Sequence, residues 1–262
     1  MNNQKTDEKT GDLFDRSASY EKYVPWQPRL TREIPFLESK LRSVNAKEVL
    51  DCACGPGRHA VALAQKGFKV VGFDASPEML MRAKSHAGDE HVEVELVEGR
   101  FEALPQSFAG RFDALICLGN SLSAGGDRAT IVEAVRQFAF ALRPGGVVIT
   151  QTVDFSVVAR EPVTASPAKH VSDDHGESLF VKSFVRVGEQ VFIHWVSLEK
   201  RDGEWHSDVT LREITVVEPR FLEEAFSRSG FASVESYGSY SGTAFEPGGS
   251  RDLILVARRE GR

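Results

Sequence analysis

The chain has 262 residues and a mass of 28.9 kDa, about 1.7 domains at ~150 residues each, which suits one large α/β domain or a standard domain carrying an insertion. Apolar residues at 41% and charged residues at 27% exclude wholesale disorder and a long coiled coil, and a net charge of −6 counts against a surface that tracks nucleic-acid phosphates. No apolar run is long enough to span a membrane, the opening MNNQKTDEKTGD lacks the apolar core of a secretory signal, and three cysteines, two of them at 52 and 54, read as reduced thiols of a cytoplasmic protein.

Residues 1–19 are polar, without apolar periodicity, and read as a flexible terminus. Tyr20, Tyr23 and Trp26 then introduce an aromatic, proline-containing segment, and Leu30, Ile34, Leu37 and Leu41 recur at helical spacing. The next hundred residues alternate strands with helices. Glu48 to Asp51 opens the first strand, followed by a Gly-rich turn at Cys54-Gly55-Pro56-Gly57 and a helix to Gln65, closed by Gly67. A second strand over 68–73 stops at Asp74. Ser76-Pro77-Glu78 reads as a cap, a first-turn proline and a favourable carboxylate, opening the next helix. Strands over 92–97 and 112–118, a helix over 129–142, a turn at Pro144-Gly145-Gly146 and an apolar strand over 147–152 complete the series. This grammar predicts right-handed βαβ crossovers and a doubly wound, mostly parallel sheet covered on both faces.

After Asp154 the pattern changes. Residues 156–178 read as a polar loop. Strands over 179–187, 190–200 and 204–217, joined by the hairpin signals Gly188-Glu189 and Asp202-Gly203, form an antiparallel meander. A helix over 218–229 and closing strands around Val234 and Leu253–Ala257 return to the first sheet, making it seven-stranded.

An open parallel sheet binds ligands at the carboxyl ends of its strands. There the chain places Gly55 and Gly57, where backbone approaches a ligand without a Cβ in the way, and Asp74, suited to the two hydroxyls of a ribose. The pattern Gly55-x-Gly57-x-x-Ala60 is also compatible with a dinucleotide fingerprint. Asp51 favours a different nucleoside: its carboxylate would repel a pyrophosphate but suits the sulfonium and ammonium of S-adenosylmethionine (SAM).

Val49-Leu-Asp-Cys-Ala-Cys-Gly-Pro-Gly-Arg58, Gly72-Phe-Asp-Ala-Ser-Pro-Glu-Met79, Phe112-Asp-Ala-Leu-Ile-Cys-Leu-Gly-Asn-Ser121 and Leu142-Arg-Pro-Gly-Gly146 together resemble class I SAM-dependent methyltransferases, in that family's order and spacing. The family's first loop glycine is Ala53 here. Within the family, Cys117-Leu-Gly-Asn-Ser121 is similar to glycine N-methyltransferases. Ser207-Asp-Val-Thr-Leu211 and Phe221-Leu-Glu-Glu-Ala-Phe226 are similar to aminosugar N-methyltransferases. The histidine that follows the Asn-Ser pair in the glycine enzymes is replaced by Ser123-Ala-Gly-Gly126, which counts against glycine as the acceptor.

The resemblance implies a Rossmann-like fold with an antiparallel β insertion after strand five: a SAM-binding domain of residues 20–155 and 217–262, and an insertion of 156–216 acting as an acceptor lid or an oligomer contact. It also implies roles. Asp51 and the backbone from Ala53 through Gly55 to Gly57 would hold the methionine part, with Arg29 on its carboxylate and Trp26 in the covering lid. Asp74 and Ala75 would take the ribose, Met79, Arg100 and Phe101 the adenine, and Leu118 with Asn120 the wall beside the sulfonium. Met79 and Phe101 suit core packing as well. Asn120 and Tyr20 are the candidates for polar contacts to the acceptor. No metal is expected, because no further ligands stand at metal spacing beside Cys52 and Cys54, and His59 reads as a helix-face residue. His194, Trp195, Trp205 and His206 are candidates to face the acceptor, with only some of them turned inward.

The resulting expectation is methyl transfer from SAM to a small molecule, most simply at an amine nitrogen, with oxygen and sulfur acceptors open. Nucleic acid and membrane are not expected partners, and a homo-oligomer stays open. An NAD-dependent oxidoreductase and a non-catalytic SAM-binding protein are the alternatives of another class.

Overall fold

The computed structural model describes residues 17–173 and 176–261, so residues 1–16 of the expected flexible terminus lie outside the described residues. In chain order, α1 (Ser17–Tyr23) and α2 (Trp26–Arg42) precede β1 (Glu48–Cys52), α3 (Arg58–Gln65), β2 (Lys69–Asp74), α4 (Pro77–Asp89) and β3 (Val94–Glu98). Next come β4 (Phe112–Cys117), α5 (Ser121–Ala124), α6 (Arg128–Ala141), β5 (Leu142–Val153) and α7 (Phe155–Val158). Five strands follow, β6 (Val163–Ala165), β7 (Lys169–Asp173), β8 (Gly176–Val187), β9 (Gln190–Arg201) and β10 (Glu204–Ile214), and then α8 (Pro219–Arg228), β11 (Phe231–Tyr237) and β12 (Asp252–Arg259).

The first sheet has seven strands in the order β11-β12-β5-β4-β1-β2-β3. The run from β3 to β5 is parallel, and β12 is antiparallel to both β5 and β11. Its central strands are buried on both faces, the reason they read as continuous apolar runs. Alternate residues serve opposite layers. Val49, Ile116 and Ile149 pack under Ile34, Leu37 and Leu41 of α2 and Leu63 of α3, while Leu50, Leu115 and Val148 pack under Ile131 and Phe138 of α6 and Phe226 of α8. Each large side chain so buried contributes roughly 1.5–3 kcal/mol.

Local signals act as the sequence suggests at α4, where the Ser76 hydroxyl accepts the Met79 N–H at 3.3 Å and Pro77 occupies the first turn. At α6 the Asp127 carboxylate accepts the Thr130 N–H at 2.8 Å. Two expectations change. Pro144-Gly145-Gly146 is not a free turn before strand five but a bulge within it. Leu142 pairs with Phe112, Val147 pairs with Ala114, and the residues between absorb the shift through Gly145 at φ +78°. The polar stretch 156–178 is not a plain loop either: it contains α7, β6 and β7. Both strands pair with β8, β7 along its first half and β6 along its second, and so satisfy backbone groups that β8 would otherwise leave open.

The second sheet therefore has five antiparallel strands, with β9 between β8 and β10. One face carries Phe180, Phe184, Ile193 and Trp195, all buried, and turns toward the first domain. Residues 17–19, expected in the flexible terminus, begin α1. That helix straps the two sheets together. Ser19 donates to Glu199 at 2.6 Å, and Lys169 Nζ donates to the carbonyls of Lys22 and Tyr23 at 2.9 and 2.6 Å. On the other side Glu21 pairs with Arg58 at 3.0 Å and His86 at 2.9 Å.

Candidate active site

A cavity of about 480 Å³ opens between the carboxyl ends of the parallel strands and the inner face of the second sheet. Its floor is the loop after β1. Ala53 and Gly55 adopt φ +62° and +54°, turning successive backbone groups toward the space, and a Cβ on Gly55 would meet nothing within 4 Å. Gly57 serves otherwise. It does not line the cavity; at φ +74° it starts α3, and a Cβ there would stand 2.6 Å from the Cβ of Ala83 on α4. Ala53 is the departure from the family's glycine, and it holds a backbone conformation that L residues adopt only at a cost.

Asp74, at the end of β2, locks this loop. Its Oδ2 accepts the Gly55 N–H at 2.7 Å and its Oδ1 accepts the Ser76 N–H at 2.9 Å. A cap-like role and a ligand role coexist here, since each carboxylate oxygen has a second lone pair. Asp51, at the end of β1, is 2% exposed, and its Oδ2 has no hydrogen-bond partner. Burial, and then the nearby Asp74, push its carboxyl up to about 7. A buried acid orphaned in this way is completed by a cationic ligand.

Ala75, Met79, Arg100, Phe101, Leu118 and Asn120 also line the cavity. The tip of the Phe101 ring abuts Gly125, where a Cβ would come within 2.0 Å of its Cζ. Asn120 takes φ +68°, and its Oδ1 accepts the Val153 N–H at 2.5 Å, so its carbonyl is spent on joining β4 to β5.

Tyr20 lines the cavity and stacks edge-on against Trp26 at 6.0 Å. Trp26 itself stands behind the wall, against His59 and beneath the Arg29 guanidinium. Arg29 reaches the cavity, with Nη2 3.4 Å from the place a Gly119 Cβ would occupy, while its Nε donates to Glu33 at 3.1 Å. Glu33 also accepts from Arg32 at 2.9 Å and His59 Nε2 at 2.8 Å. Burial pushes the Glu33 carboxyl up, but His59, Arg29 and Arg32 outweigh it and hold it at about 2. His59 is thus a residue of the buried face of α3, its ring bound to the Glu33 carboxylate.

Several lining residues escaped the sequence reading. Gln151, at the end of β5, accepts the Gly119 N–H at 2.9 Å and donates to Asp252 at 2.9 Å. Its place at a strand end was the available signal. Tyr240 is buried with its hydroxyl unpartnered, and it comes from a Ser/Gly-rich loop with no periodicity to betray it. The second sheet adds Lys182, Ile193, Trp195 and Arg212, and the approach to β12 adds Arg251. Of the four residues weighed in the insertion, Trp195 faces the cavity, packed against Tyr23 at 4.5 Å; His194 alternates outward, and Trp205 and His206 are exposed. Cys52, Cys54 and Cys117 are buried free thiols.

The residues present fit SAM. The positive-φ backbone of Ala53 and Gly55, the paired acceptors of Asp74 and the orphaned Asp51 oxygen match a cationic nucleoside without phosphates.

Residues 49–146 match a family model described as a methyltransferase domain. The glycine/sarcosine N-methyltransferase of Halorhodospira halochloris is 27% identical over 271 residues, covering 98% of this chain and 92% of that protein. Shorter matches to two relatives of the same name span 39% and 54% of those proteins. Among solved structures, a SAM-dependent methyltransferase from Clostridium acetobutylicum aligns with a TM-score of 0.75 at 16% identity, over 92% of this chain and 95% of that one. A SAM-bound amino pentose methyltransferase from Micromonospora echinaspora aligns with a TM-score of 0.68 at 20% identity, over 92% and 95%. Residues 49–146 carry a methyltransferase domain, and the chain as a whole has the Rossmann-like fold of the SAM-dependent methyltransferases and resembles them over its full length. Within them it resembles the glycine N-methyltransferases.

Proposed function

We propose that this enzyme methylates an amine nitrogen of a small molecule that also carries an anionic group. The observation that carries the reading is that the cavity is lined by the aromatic rings of Tyr20, Tyr23 and Trp195 together with the guanidinium of Arg251, which acts on the Tyr23 hydroxyl. Among the described residues nothing accepts a hydrogen bond from that guanidinium. Aromatic faces suit an alkylammonium, and a guanidinium suits a carboxylate or similar anion. The name of the relative covering nearly the whole chain supports an amine acceptor.

Bound SAM supplies an electrophilic methyl group on a sulfonium, open to in-line displacement. The chain's residues bind and orient. Asp51 and the backbone from Ala53 to Gly55 hold the methionine part with Arg29, and Asp74 with Ala75 holds the ribose. Met79, Arg100 and Phe101 flank the adenine. Leu118 and Asn120 wall the reacting centre, and Tyr20 orients the acceptor. Gly57 and Trp26 act from behind, by fixing α3 and by buttressing Tyr20 and Arg29. The second sheet, residues 156–216, serves as the acceptor lid and excludes water, so alignment supplies most of the acceleration. The acidic balance supports a metabolite rather than nucleic acid as the acceptor, and the free thiols of Cys52, Cys54 and Cys117 support the reducing cytoplasm. Among the described residues no helix is long and apolar enough to cross a membrane.

Transfer of labelled methyl from SAM onto pooled small amines, phenols and thiols tests the reading. Labelled amines bearing a carboxylate are the expected product, and label confined to phenols or thiols refutes it. Calorimetry with SAM and NAD separates the class: heat with NAD and none with SAM would contradict a methyltransferase.

A further inference from the structure

The acceptor side of the cavity holds a lysine that the fold leaves unneutralised. Lys182 lies on β8 opposite Trp195 of β9, partly buried in the cavity wall between the Phe180 and Phe184 positions. Among the described residues no oxygen accepts a hydrogen bond from its Nζ, which sits 5.2 Å from the centre of the Phe184 ring. The charged groups that act on it are two more cations, Arg251 and Arg29. Other titratable groups that line the cavity include Tyr20 and Tyr23 of α1, Glu33 of α2, Arg212 of β10, Tyr240, and Asp252 of β12. Neither carboxylate is hydrogen-bonded to it. Glu33 is taken by Arg29, Arg32 and His59, and Asp252 accepts from Gln151. Arg212 donates to the Ala124 carbonyl.

An ammonium partly removed from water, with two guanidinium groups acting on it and no carboxylate hydrogen-bonded to it, gives up its proton readily. Burial, then Arg251 and Arg29, push the Lys182 ammonium down to about 8. A free amine is therefore present on it to the extent of about a tenth at neutral pH, whereas an ordinary lysine is almost wholly charged. An amine acceptor reaches the cavity from water as an ammonium, and its nitrogen has no lone pair until that proton goes.

We propose that Lys182 is the base that removes this proton. The claim rests on the amine reading above. One N–H bond of the acceptor ammonium breaks and its electron pair stays on nitrogen. The proton bonds to the lone pair of Lys182 Nζ, giving an ammonium. That ammonium then releases the proton to water at the cavity mouth, and the free amine is restored. An arginine at this position keeps the positive charge but cannot perform the step, because guanidinium does not deprotonate in the accessible pH range.

The test compares wild type, Lys182→Met and Lys182→Arg in methyl transfer from SAM to glycine, sarcosine and ethanolamine, between about pH 6.5 and about pH 10. SAM affinity by calorimetry checks that each variant is folded. Both variants are expected to lose roughly a hundredfold in kcat near neutral pH, with little change in acceptor KM, and to approach wild type at the alkaline end. An arginine variant with wild-type kcat, or a loss that does not shrink with pH, overturns the proposal. Independently of turnover, wild-type protein with 13C-labelled lysine should show one Cε resonance titrating near 8 that disappears in the arginine variant. A Lys182 that titrates with the surface lysines overturns the proposal as well, whatever the acceptor. If wild type labels phenols or thiols and no amine, the amine reading fails, and the base role falls with it.

Discussion

The Asp74 carboxylate accepts the backbone N–H of Gly55 at 2.7 Å, so the residue expected to hold the ribose also fixes the loop expected to approach the methionine part. Its other oxygen caps the turn into α4 through Ser76. One side chain thus couples the loop after β1 to the loop after β2. Replacing it disturbs both the ligand and the scaffold.

Asp74→Asn is expected to weaken SAM binding by roughly tenfold to a hundredfold, the loss of charge-assisted hydrogen bonds at ~1.5–3 kcal/mol. Calorimetry measures it. An affinity equal to wild type removes the ribose role.

Asp51 makes SAM binding sensitive to pH. Its carboxyl stands at about 7 in the ligand-free fold, above its ordinary value in an unfolded chain of ~3.9. The native state therefore binds the extra proton between those values, and this group's contribution to stability declines as pH rises through that window. A bound cation favours the carboxylate, so SAM affinity should rise from about pH 5 to about pH 7 and then level off, with proton release on binding. Asp51→Asn should abolish the slope. Titrations in buffers of different ionisation enthalpy detect the proton, and a slope that persists in the variant counts against this assignment.

Glu33 neutralises two guanidinium groups, Arg29 and Arg32, and binds the His59 ring, whose proton affinity burial lowers. Glu33→Gln leaves Arg29 and His59 without their buried partner and should destabilise the fold by ~3 kcal/mol near neutral pH. The native carboxyl is held at about 2, below its unfolded value, so its contribution is full at neutral pH and fades as pH falls. Urea unfolding of both proteins should show the gap closing below about pH 4. A gap that is constant with pH would mean that packing, not charge, is what the substitution removes.

Ala53 carries φ +62° where its relatives' pattern has glycine. Ala53→Gly relieves ~1–2 kcal/mol of backbone strain and costs ~0.5–1 kcal/mol of unfolded-state entropy. A net gain of about 0.5–1 kcal/mol and a slightly higher Tm are expected. Thermal unfolding decides it, and a lower Tm would show that neighbouring packing exploits the alanine methyl.

Much of the site was legible because it lies on strand ends. Asp51, Ala53, Gly55, Asp74, Leu118 and Asn120 each follow a strand whose apolar run is unambiguous, and the sheet topology then brings them to one edge. Gly57 and Trp26 were placed at the ligand because sequence proximity to Gly55 and Arg29 does not say which face of a turn or helix a residue shows. The short strands β6 and β7 were missed because their residues are polar. They are strands only because β8 is long enough to offer them an edge.

The sequence by itself determined the order of strands and helices, the loops that line the cavity and the family resemblance they carry, since periodicity, glycine positions and capping residues act over a few neighbours. Only the tertiary structure decided what faces the acceptor. Lys182 reaches the cavity from β8, Tyr240 from a loop before β12 and Arg29 from α2, segments far apart in the chain. Their chemistry comes from shared burial and from which charges lie beside them, and neither is a property of any local stretch. Lys182 is an ordinary strand lysine by its neighbours in sequence. It becomes a candidate base only where the fold takes it into the cavity wall and brings two guanidinium groups, Arg251 and Arg29, to act on it.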